Sequence, residues 1–159
     1  MNESKDTPPT TVYLPNARQA DQRAAMESIA ERGICFMCPE HIPEFYGEKD
    51  DIIAEGEHSF LVHNGYPYEN TDYHIMAIPK LHATSIQELS DEFLTEAFGY
   101  FKDLEQKFAI KGGAIAMRFG DPSETGATVH HLHIHFIVPA QGVDFSQKPL
   151  LFHITPRRQ

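Results

Sequence analysis

Residues 128–139, TVHHLHIHFIVP, place four histidines in otherwise apolar sequence and constrain the fold more than any other stretch. Alternate side chains of a β-strand face the same side, so a strand over 129–138 has two distinct faces. One face carries Val129, His131, His133 and His135. The other carries His130, Leu132, Ile134, Phe136 and Val138. The pattern predicts a strand that packs its mostly apolar face under a helix and presents a row of imidazoles about 7 Å apart on the other.

The row of three histidines is better explained by chemistry than by packing, and two kinds of chemistry fit it. Neutral imidazole is the commonest protein metal ligand, so the row could bind a metal. Alternatively, one imidazole is a nucleophile, with one ring nitrogen free and the other tied by a donated hydrogen bond. The preceding residues Gly126, Ala127 and Thr128 supply backbone N–H groups and a hydroxyl, as a phosphate site requires. They favour the second interpretation.

The rest of the chain predicts an α+β fold in which a helix packs across an antiparallel sheet. The strongest helix signal is 91–109, where Ser90 is a natural N-cap and apolar residues recur at three- and four-residue spacing. A weaker helix is predicted over 17–32, with Asn16 at its start and Gly33 at its end. Apolar runs and turn residues further predict strands at 58–64, 73–79 and 113–119 and loops at 39–57 and 120–128.

The length and composition predict one globular domain over 13–159, preceded by a polar, Pro-rich and flexible arm over 1–12. The net charge of −10 argues against nucleic-acid binding, which needs a basic surface, but permits a small anion held at a local positive site. No apolar run approaches 18 residues, and the first dozen residues lack the features of a signal peptide. We therefore expect a cytoplasmic protein that does not bind membranes.

The two cysteines of the chain, Cys35 and Cys38, form a C-x-x-C pair. Two intervening residues are few for a structural disulfide, and in a reducing compartment such a pair is typical of metal binding or redox chemistry. The spacing alone leaves three interpretations open, namely a metal site, a redox pair and two reduced buried thiols.

Several motifs resemble those of the histidine triad superfamily. Residues 131–137, HLHIHFI, fit its signature His-φ-His-φ-His-φ-φ, in which φ is apolar, at every position. Residues 74–82, HIMAIPKLH, look like the second block of the family, a strand that ends in Ile-Pro-Lys-x-His. Asn64 stands where the family usually has an Asn or Asp that holds the ribose. The resemblance covers about residues 33–139 and implies a homodimer.

The resemblance implies transfer or hydrolysis of a nucleoside monophosphate group. His133 would attack the α-phosphorus and form a covalent nucleotidyl-histidine, which water or inorganic phosphate would then resolve. His135 would stabilise the phosphate or protonate the leaving group, and His74 would order the histidine row through hydrogen bonds. Thr128, with Gly126 and nearby backbone amides, would bind phosphate oxygens.

The C-x-x-C pair is similar to that of zinc-carrying members of the superfamily, such as galactose-1-phosphate uridylyltransferase. In those proteins the pair binds a structural zinc together with the histidine that closes the second block and the first triad histidine. Carried over to this chain, the resemblance implies a Cys₂His₂ zinc site of tetrahedral type made by Cys35, Cys38, His82 and His131.

Residues 64–68, NGYPY, look like the diadenosine tetraphosphate hydrolase and phosphorylase branch, which implies dinucleoside polyphosphates as substrates. Arg118 stands near a position where that branch commonly has Asn, and would either bind a polyphosphate or lie on the surface. Three alternatives stay open: a nucleoside phosphoramidase, a nucleotide-binding regulatory protein with little turnover, and a metal-dependent hydrolase with the triad as ligands.

Overall fold

The computed structural model describes residues 11–47 and 51–156, which form three α-helices and a five-stranded sheet. The helices are α1 (Ala20–Arg32), α2 (Ile42–Tyr46) and α3 (Asp91–Lys107). The strands are β1 (Ile52–Glu55), β2 (Ser59–His63), β3 (Thr71–Pro79), β4 (Ala114–Ala116) and β5 (Ile134–Pro139). Their order in the sheet is β1-β2-β3-β5-β4, and every neighbouring pair is antiparallel. The predicted α+β class with an antiparallel sheet is confirmed.

Helix α3 packs across one face of the sheet, as its apolar periodicity predicts. The Ser90 side chain caps it by accepting a hydrogen bond from the backbone N–H of Phe93 at 3.1 Å. Phe101 stacks on Phe136 of β5 with ring centroids 5.1 Å apart. Each large apolar side chain buried here contributes about 2 kcal/mol relative to its exposed state. Phe98, also part of the predicted stripe, is 47% exposed because it projects from the side of the helix.

The other face of the sheet is covered by α1, α2 and the segment between these helices. Its core combines side chains from both helices with the facing side chains of β2 and β3: Met26, Ile29, Phe36, Met37, Ile42, Tyr46, Phe60, Val62, Met76 and Ile78. The C-x-x-C pair belongs to the same segment. The second layer therefore places the cysteines next to the histidine row, although about a hundred residues separate the two in the sequence.

Helix α1 begins three residues later than predicted. It starts at Ala20 after Gln19, and it ends at Gly33 as predicted, where the backbone has a φ of 63° that suits glycine. Asn16, the predicted start, belongs to a 3-10 turn and is only 1% exposed. Its side chain is bound to a distant loop and so does not cap the helix.

Asn16 ties that loop to the rest of the domain, and its loss should destabilise the fold. Its Nδ2 lies 3.0, 2.8 and 2.7 Å from the carbonyl oxygens of Pro122, Thr125 and Ala127. Asn16→Ala removes the donor and leaves buried acceptors unsatisfied, so we expect the free energy of unfolding to fall by about 2–3 kcal/mol. Urea unfolding measures this. The control Gln19→Ala, at an exposed position nearby, should change it by less than about 0.5 kcal/mol.

The histidine strand is shorter than its alternation predicts. Regular pairing begins at Ile134, while residues 128–133 are irregular and held by single contacts, such as the hydrogen bond from Leu132 N to Ala83 O at 2.8 Å. Val129 forms an isolated bridge with Val12, which is 2% exposed and so packs against the domain although it ends the predicted arm. The predicted strand 113–119 is likewise reduced to β4.

The predicted loop 39–57 contains α2 and β1, which its acidic residues and Pro/Gly punctuation concealed. Both elements are only four or five residues long, too short to show a clear period. Residues 48–50 of this loop and 1–10 of the predicted arm lie outside the described residues. Within the described part of the chain, no helix combines the length and apolar character that crossing a membrane requires.

Candidate functional site

A cavity of about 460 Å³ lies on the histidine side of the sheet, between β3, the segment 126–133 and the layer of α1 and α2. It is lined by every residue that the sequence predicts for catalysis or substrate binding: Asn64, His74, Arg118, Gly126, Thr128, His133 and His135. The structure therefore brings the seven residues together. Their individual roles stay predictions.

His133 has one ring nitrogen bound and the other available. Its Nδ1 lies 2.8 Å from the carbonyl oxygen of His131. Because a carbonyl oxygen only accepts, Nδ1 must carry the hydrogen, and Nε2 keeps its lone pair. Burial and, to a smaller extent, the charge of Arg118 lower the pKa of His133 to about 4, although the hydrogen bond to His131 acts in the opposite direction. A neutral imidazole with a free Nε2 is the state that a nucleophile requires.

His74 and His135 form a hydrogen-bonded pair whose direction is set by the backbone. The N–H of Tyr68 donates to Nδ1 of His74 at 3.1 Å, so a neutral His74 carries its hydrogen on Nε2. That Nε2–H donates to Nδ1 of His135 at 3.0 Å. His135 must therefore carry its own hydrogen on Nε2. Among the described residues, this Nε2 is the one buried side-chain nitrogen or oxygen that has no partner.

The free Nε2–H of His135 suits a hydrogen bond to a bound oxygen and does not suit net proton delivery. The pKa of His135 is well below its usual value, first because of burial and then because of His133 and His74 and the two nearby arginines. The pKa of His74 is lowered to about 3, also chiefly by burial. Both rings are thus neutral at pH 7, and neither holds a spare proton. A developing negative charge would be stabilised by this donor without protonation.

Asn64 orders the turn that holds His74. Its Oδ1 accepts from the backbone N–H of Tyr66 at 2.8 Å, which fixes the amide orientation. Its Nδ2 then lies 3.1 Å from Nε2 of His74. Both nitrogens carry hydrogen in the tautomer described above, so this contact is packing and not a hydrogen bond. The structure thus places Asn64 beside the histidines.

Four residues to which the sequence analysis assigns no role also line or border the histidine end of the cavity: Arg18, Tyr68, Phe152 and His153. The guanidinium of Arg18 lies 4.4 Å from the ring centroid of Tyr68, and the Tyr68 ring lies 4.7 Å from that of His74. Phe152 lies 5.4 Å from His135, centroid to centroid. Only Tyr68 had a signal in the sequence, as part of the 64–68 motif.

Gly126 has a structural reason to be glycine. A Cβ at this position would lie 2.5 Å from the backbone oxygen of His153 and 3.2 Å from Nε of Arg118. The backbone of His153 therefore approaches the segment before the histidines more closely than a side chain at position 126 would permit.

Cys35, Cys38, His82 and His131 converge on one point beside the cavity, and their ligand atoms all lie within 4.8 Å of one another. Cys35 Sγ and His131 Nδ1 are 3.3 Å apart, as are Cys38 Sγ and His82 Nδ1. Zinc–ligand bonds of about 2.0–2.3 Å place tetrahedral ligand atoms about 3.5 Å from one another. The four residues therefore fit a tetrahedral metal ion such as zinc, and four protein ligands make a closed site of the structural kind.

His131 links this cluster to His133. Its Nε2 lies 3.0 Å from the carbonyl oxygen of Pro79, so Nε2 carries the hydrogen and Nδ1 is free to face the thiols. Its own carbonyl oxygen accepts the hydrogen bond from His133. The residue that orients the candidate nucleophile is thus itself positioned by the metal cluster.

The three triad histidines do not share a common centre. His131 faces the cysteines, while Nδ1 of His133 binds a carbonyl oxygen and Nδ1 of His135 accepts from His74. The metal-binding cluster found among the described residues includes only the first of the three. This geometry disfavours the interpretation in which the whole row binds a metal.

The buried neutral histidines should make the fold sensitive to acid. Histidines of the unfolded chain titrate near pH 6.5, whereas His74 and His135 resist protonation when folded. Their contribution to stability is thus complete above pH 6.5 and is lost as the pH falls towards the folded pKa, by up to about 1.4 kcal/mol per pH unit for each. Urea unfolding between pH 7.5 and 4.5 measures the slope. His74→Gln should flatten it and the exposed control His63→Gln should not, while a flat wild-type profile would contradict the prediction.

The protein is thus an α+β domain in which an antiparallel sheet carries paired histidines over a cavity, next to a Cys₂His₂ cluster. The sequence model of the HIT domain matches residues 47–142, which is more than half of the chain. The protein belongs to the HIT domain family. Comparison with curated proteins gave no match.

Several solved structures are similar to this chain. A HIT family hydrolase from Legionella pneumophila is 20% identical, with 74% of this chain and 100% of that chain covered and a TM-score of 0.53. A HIT family hydrolase from Clostridium thermocellum is 26% identical, with 62% and 84% covered and a TM-score of 0.47. The C. elegans NitFhit protein is 30% identical, with 63% and 24% covered and a TM-score of 0.49.

Proposed function

We propose that the protein is a nucleotide hydrolase or nucleotidyl transferase that cleaves at the α-phosphate of dinucleoside polyphosphates or related nucleotides. The observation that carries the proposal is the state of His133. Its Nδ1–H is tied to the carbonyl oxygen of His131, which leaves a neutral Nε2 at the cavity. Membership of the HIT domain family and the hydrolase named among the structural relatives agree with it.

In the proposed reaction, Nε2 of His133 attacks the α-phosphorus. An N–P bond forms, the P–O bond to the leaving group breaks, and the leaving group departs with the electron pair of that bond. The Nε2–H of His135 would hydrogen-bond to an oxygen of the reacting phosphate or of the leaving group. Water or inorganic phosphate then attacks the phosphorus, and the N–P bond breaks to restore His133.

The remaining predicted residues have supporting roles in this proposal. His74 would hold the tautomer of His135, and Asn64 would bind the ribose at the end of β2. Thr128, which lines the cavity, would bind a phosphate oxygen, together with backbone groups near Gly126. Zinc at the Cys₂His₂ cluster would be structural and would fix the backbone at His131. The proposal also includes a cytoplasmic location and a homodimer.

The proposal is tested by chromatography of the products from diadenosine tetraphosphate, with and without inorganic phosphate. AMP plus ATP would identify a hydrolase, and ADP plus ATP that require phosphate would identify a phosphorylase. Cleavage of an adenosine phosphoramidate alone would instead select the phosphoramidase. Tight binding of nucleotides without turnover of either substrate would overturn the enzymatic proposal and favour a binding protein.

A further inference from the structure

The C-terminal residues Phe152 and His153 lie outside the matched HIT domain, yet they reach the histidine site. They contact one cation there. The guanidinium carbon of Arg118 lies 3.7 Å from the ring centroid of Phe152, and Nε of Arg118 donates to the backbone oxygen of His153 at 2.6 Å. Nη2 of Arg118 donates to the hydroxyl of Tyr68 at 3.1 Å. Three groups from two separate parts of the chain thus hold one guanidinium in place.

This arrangement orients Arg118 and leaves it able to bind an anion. A guanidinium has five N–H donors, and the two hydrogen bonds above use two of them. Arg118 lines the cavity, and its charge acts on His74 and His135, since after burial it is one of the groups that lower the pKa of each. A fixed planar donor of this kind is suited to phosphate oxygens.

Two arginine side chains lie beside the histidines that line the cavity. Arg18 lies against Tyr68, as Arg118 does, so that two cations stand at the histidine end of a protein whose net charge is −10. The carboxylates of Asp21 and Asp51 also line the cavity, and Asp21 acts on Tyr66, whose backbone oxygen accepts a hydrogen bond from Arg18. The two guanidinium groups beside the histidines favour a ligand that carries negative charge beyond the reacting phosphate.

The hydrogen-bond chain points the same way. His135 offers an N–H but holds no spare proton, because the N–H of Tyr68 fixes its neighbour His74 in a neutral form that donates to it. A phosphate or polyphosphate can leave as an anion without being protonated, whereas an amine of a phosphoramidate must gain a proton to leave. A site that has cations to bind an anion, but no group ready to donate a proton, suits a phosphate or polyphosphate leaving group.

We propose that Arg118, held by Phe152, His153 and Tyr68, binds the leaving group and restricts the site to substrates whose leaving group is a phosphate or polyphosphate anion. This inference rests on the proposed nucleotidyl-transfer function. It assigns the C-terminal segment a place in substrate selection, and it separates the dinucleoside polyphosphate from the phosphoramidate among the candidate substrates.

The test compares two substrates with the same adenosine α-phosphate, diadenosine tetraphosphate and an adenosine 5′-phosphoramidate with a neutral amine leaving group. Arg118→Gln should lower kcat/KM for the first by about 10–100-fold and for the second by less than about 3-fold. Arg118→Lys should recover only part of the loss, since it restores the charge without the planar fork. Tyr68→Phe, which removes only the hydroxyl that accepts from Nη2, should give a smaller loss of the same selectivity, about 3-fold.

Arg23→Gln is the matched control, because Arg23 is an exposed cation on α1 that does not line the cavity. It should leave both values unchanged. Equal losses for the two substrates in Arg118→Gln, or an unchanged selectivity, would overturn the inference while leaving the proposed function intact. Turnover of neither substrate by the wild type would instead count against the proposed function.

A binding measurement keeps the inference testable without turnover. Inorganic tripolyphosphate should bind the wild-type protein in calorimetry, and Arg118→Gln should weaken that binding by about 10-fold or more. Equal binding to both proteins would overturn the inference whatever the kinetics show. Thermal unfolding of each variant, compared with that of Arg23→Gln, checks that the fold is preserved.

Discussion

His133→Ala should lower kcat/KM for diadenosine tetraphosphate by about 10⁴-fold or more, while the protein keeps its fold and its zinc. The reason is that, among His74, His133 and His135, only His133 presents a neutral ring nitrogen with a free lone pair at the cavity: His135 carries a hydrogen on Nε2, and His74 carries one on the nitrogen that faces His135. Removal of a covalent nucleophile commonly costs several orders of magnitude, because the remaining groups cannot replace the bond it makes.

The measurement is steady-state product formation with the variant at high concentration, together with trapping of the covalent intermediate. Acid-labile label from α-³²P-labelled substrate should stay with the wild-type protein and should be absent from His133→Ala. The matched control is His130→Ala, since His130 is a neighbouring histidine that does not line the cavity. It should keep activity within about 3-fold.

Equal turnover by wild type and His133→Ala would remove His133 from the role of nucleophile. If His130→Ala lost as much turnover as His133→Ala, the cause would be damage to the backbone of this segment. Thermal unfolding distinguishes loss of the nucleophile from damage to the backbone. His133→Ala also removes the hydrogen bond from the His133 side chain to the backbone oxygen of His131, and a lower melting temperature would show that this loss disturbs the segment.

The alternation of the histidine row predicts which side chains share a face, but it does not predict where the strand begins. A strand period of two separates the faces, and Ile134, Phe136 and Val138 do pack with α3 while His133 and His135 line the cavity. The alternation continues upstream to residue 129, but the hydrogen-bonded strand does not. A strand also needs a neighbour to pair with, and the pairing between β3 and β5 ends at Ala77 and Ile134.

The metal cluster was predictable by resemblance, and the surroundings of the histidines were not. Cys35 and Cys38 carry a recognisable spacing, and His82 closes a recognisable motif. The contacts of Arg118 with Phe152 and His153 join residues about 35 positions apart with no spacing between them that indicates contact. Asn16 is similar, because a side chain that binds a loop more than a hundred residues away looks, in sequence, like a helix cap.

Cys38→Ser should remove the bound zinc and destabilise the protein strongly. Wild-type protein purified without added metal should contain roughly one zinc per chain, and the variant should contain almost none, because one oxygen is a poor substitute for a thiolate in a tetrahedral site. We expect the free energy of unfolding to fall by about 4 kcal/mol or more, as loss of a structural metal is among the largest single effects. Elemental analysis and urea unfolding measure the two quantities.

The exposed His63 provides a control, since His63→Ser changes a histidine outside the cluster and should keep the zinc and the stability. Retention of full stability by zinc-free Cys38→Ser would contradict a structural role for the metal. A wild-type protein that contains no metal after careful handling would contradict the zinc assignment itself.

The effect of zinc loss on activity distinguishes a structural metal from a catalytic one. His131 contributes its Nδ1 to the cluster and its backbone oxygen to Nδ1–H of His133, so loss of the metal should loosen the group that holds the nucleophile in its reactive tautomer. Because His82 is exposed, a chelator has access to the cluster. Chelation should therefore lower activity in parallel with the loss of folded structure, as followed by circular dichroism, and added zinc should restore both together. Activity that disappears while the fold stays intact would instead place the metal at the reacting centre.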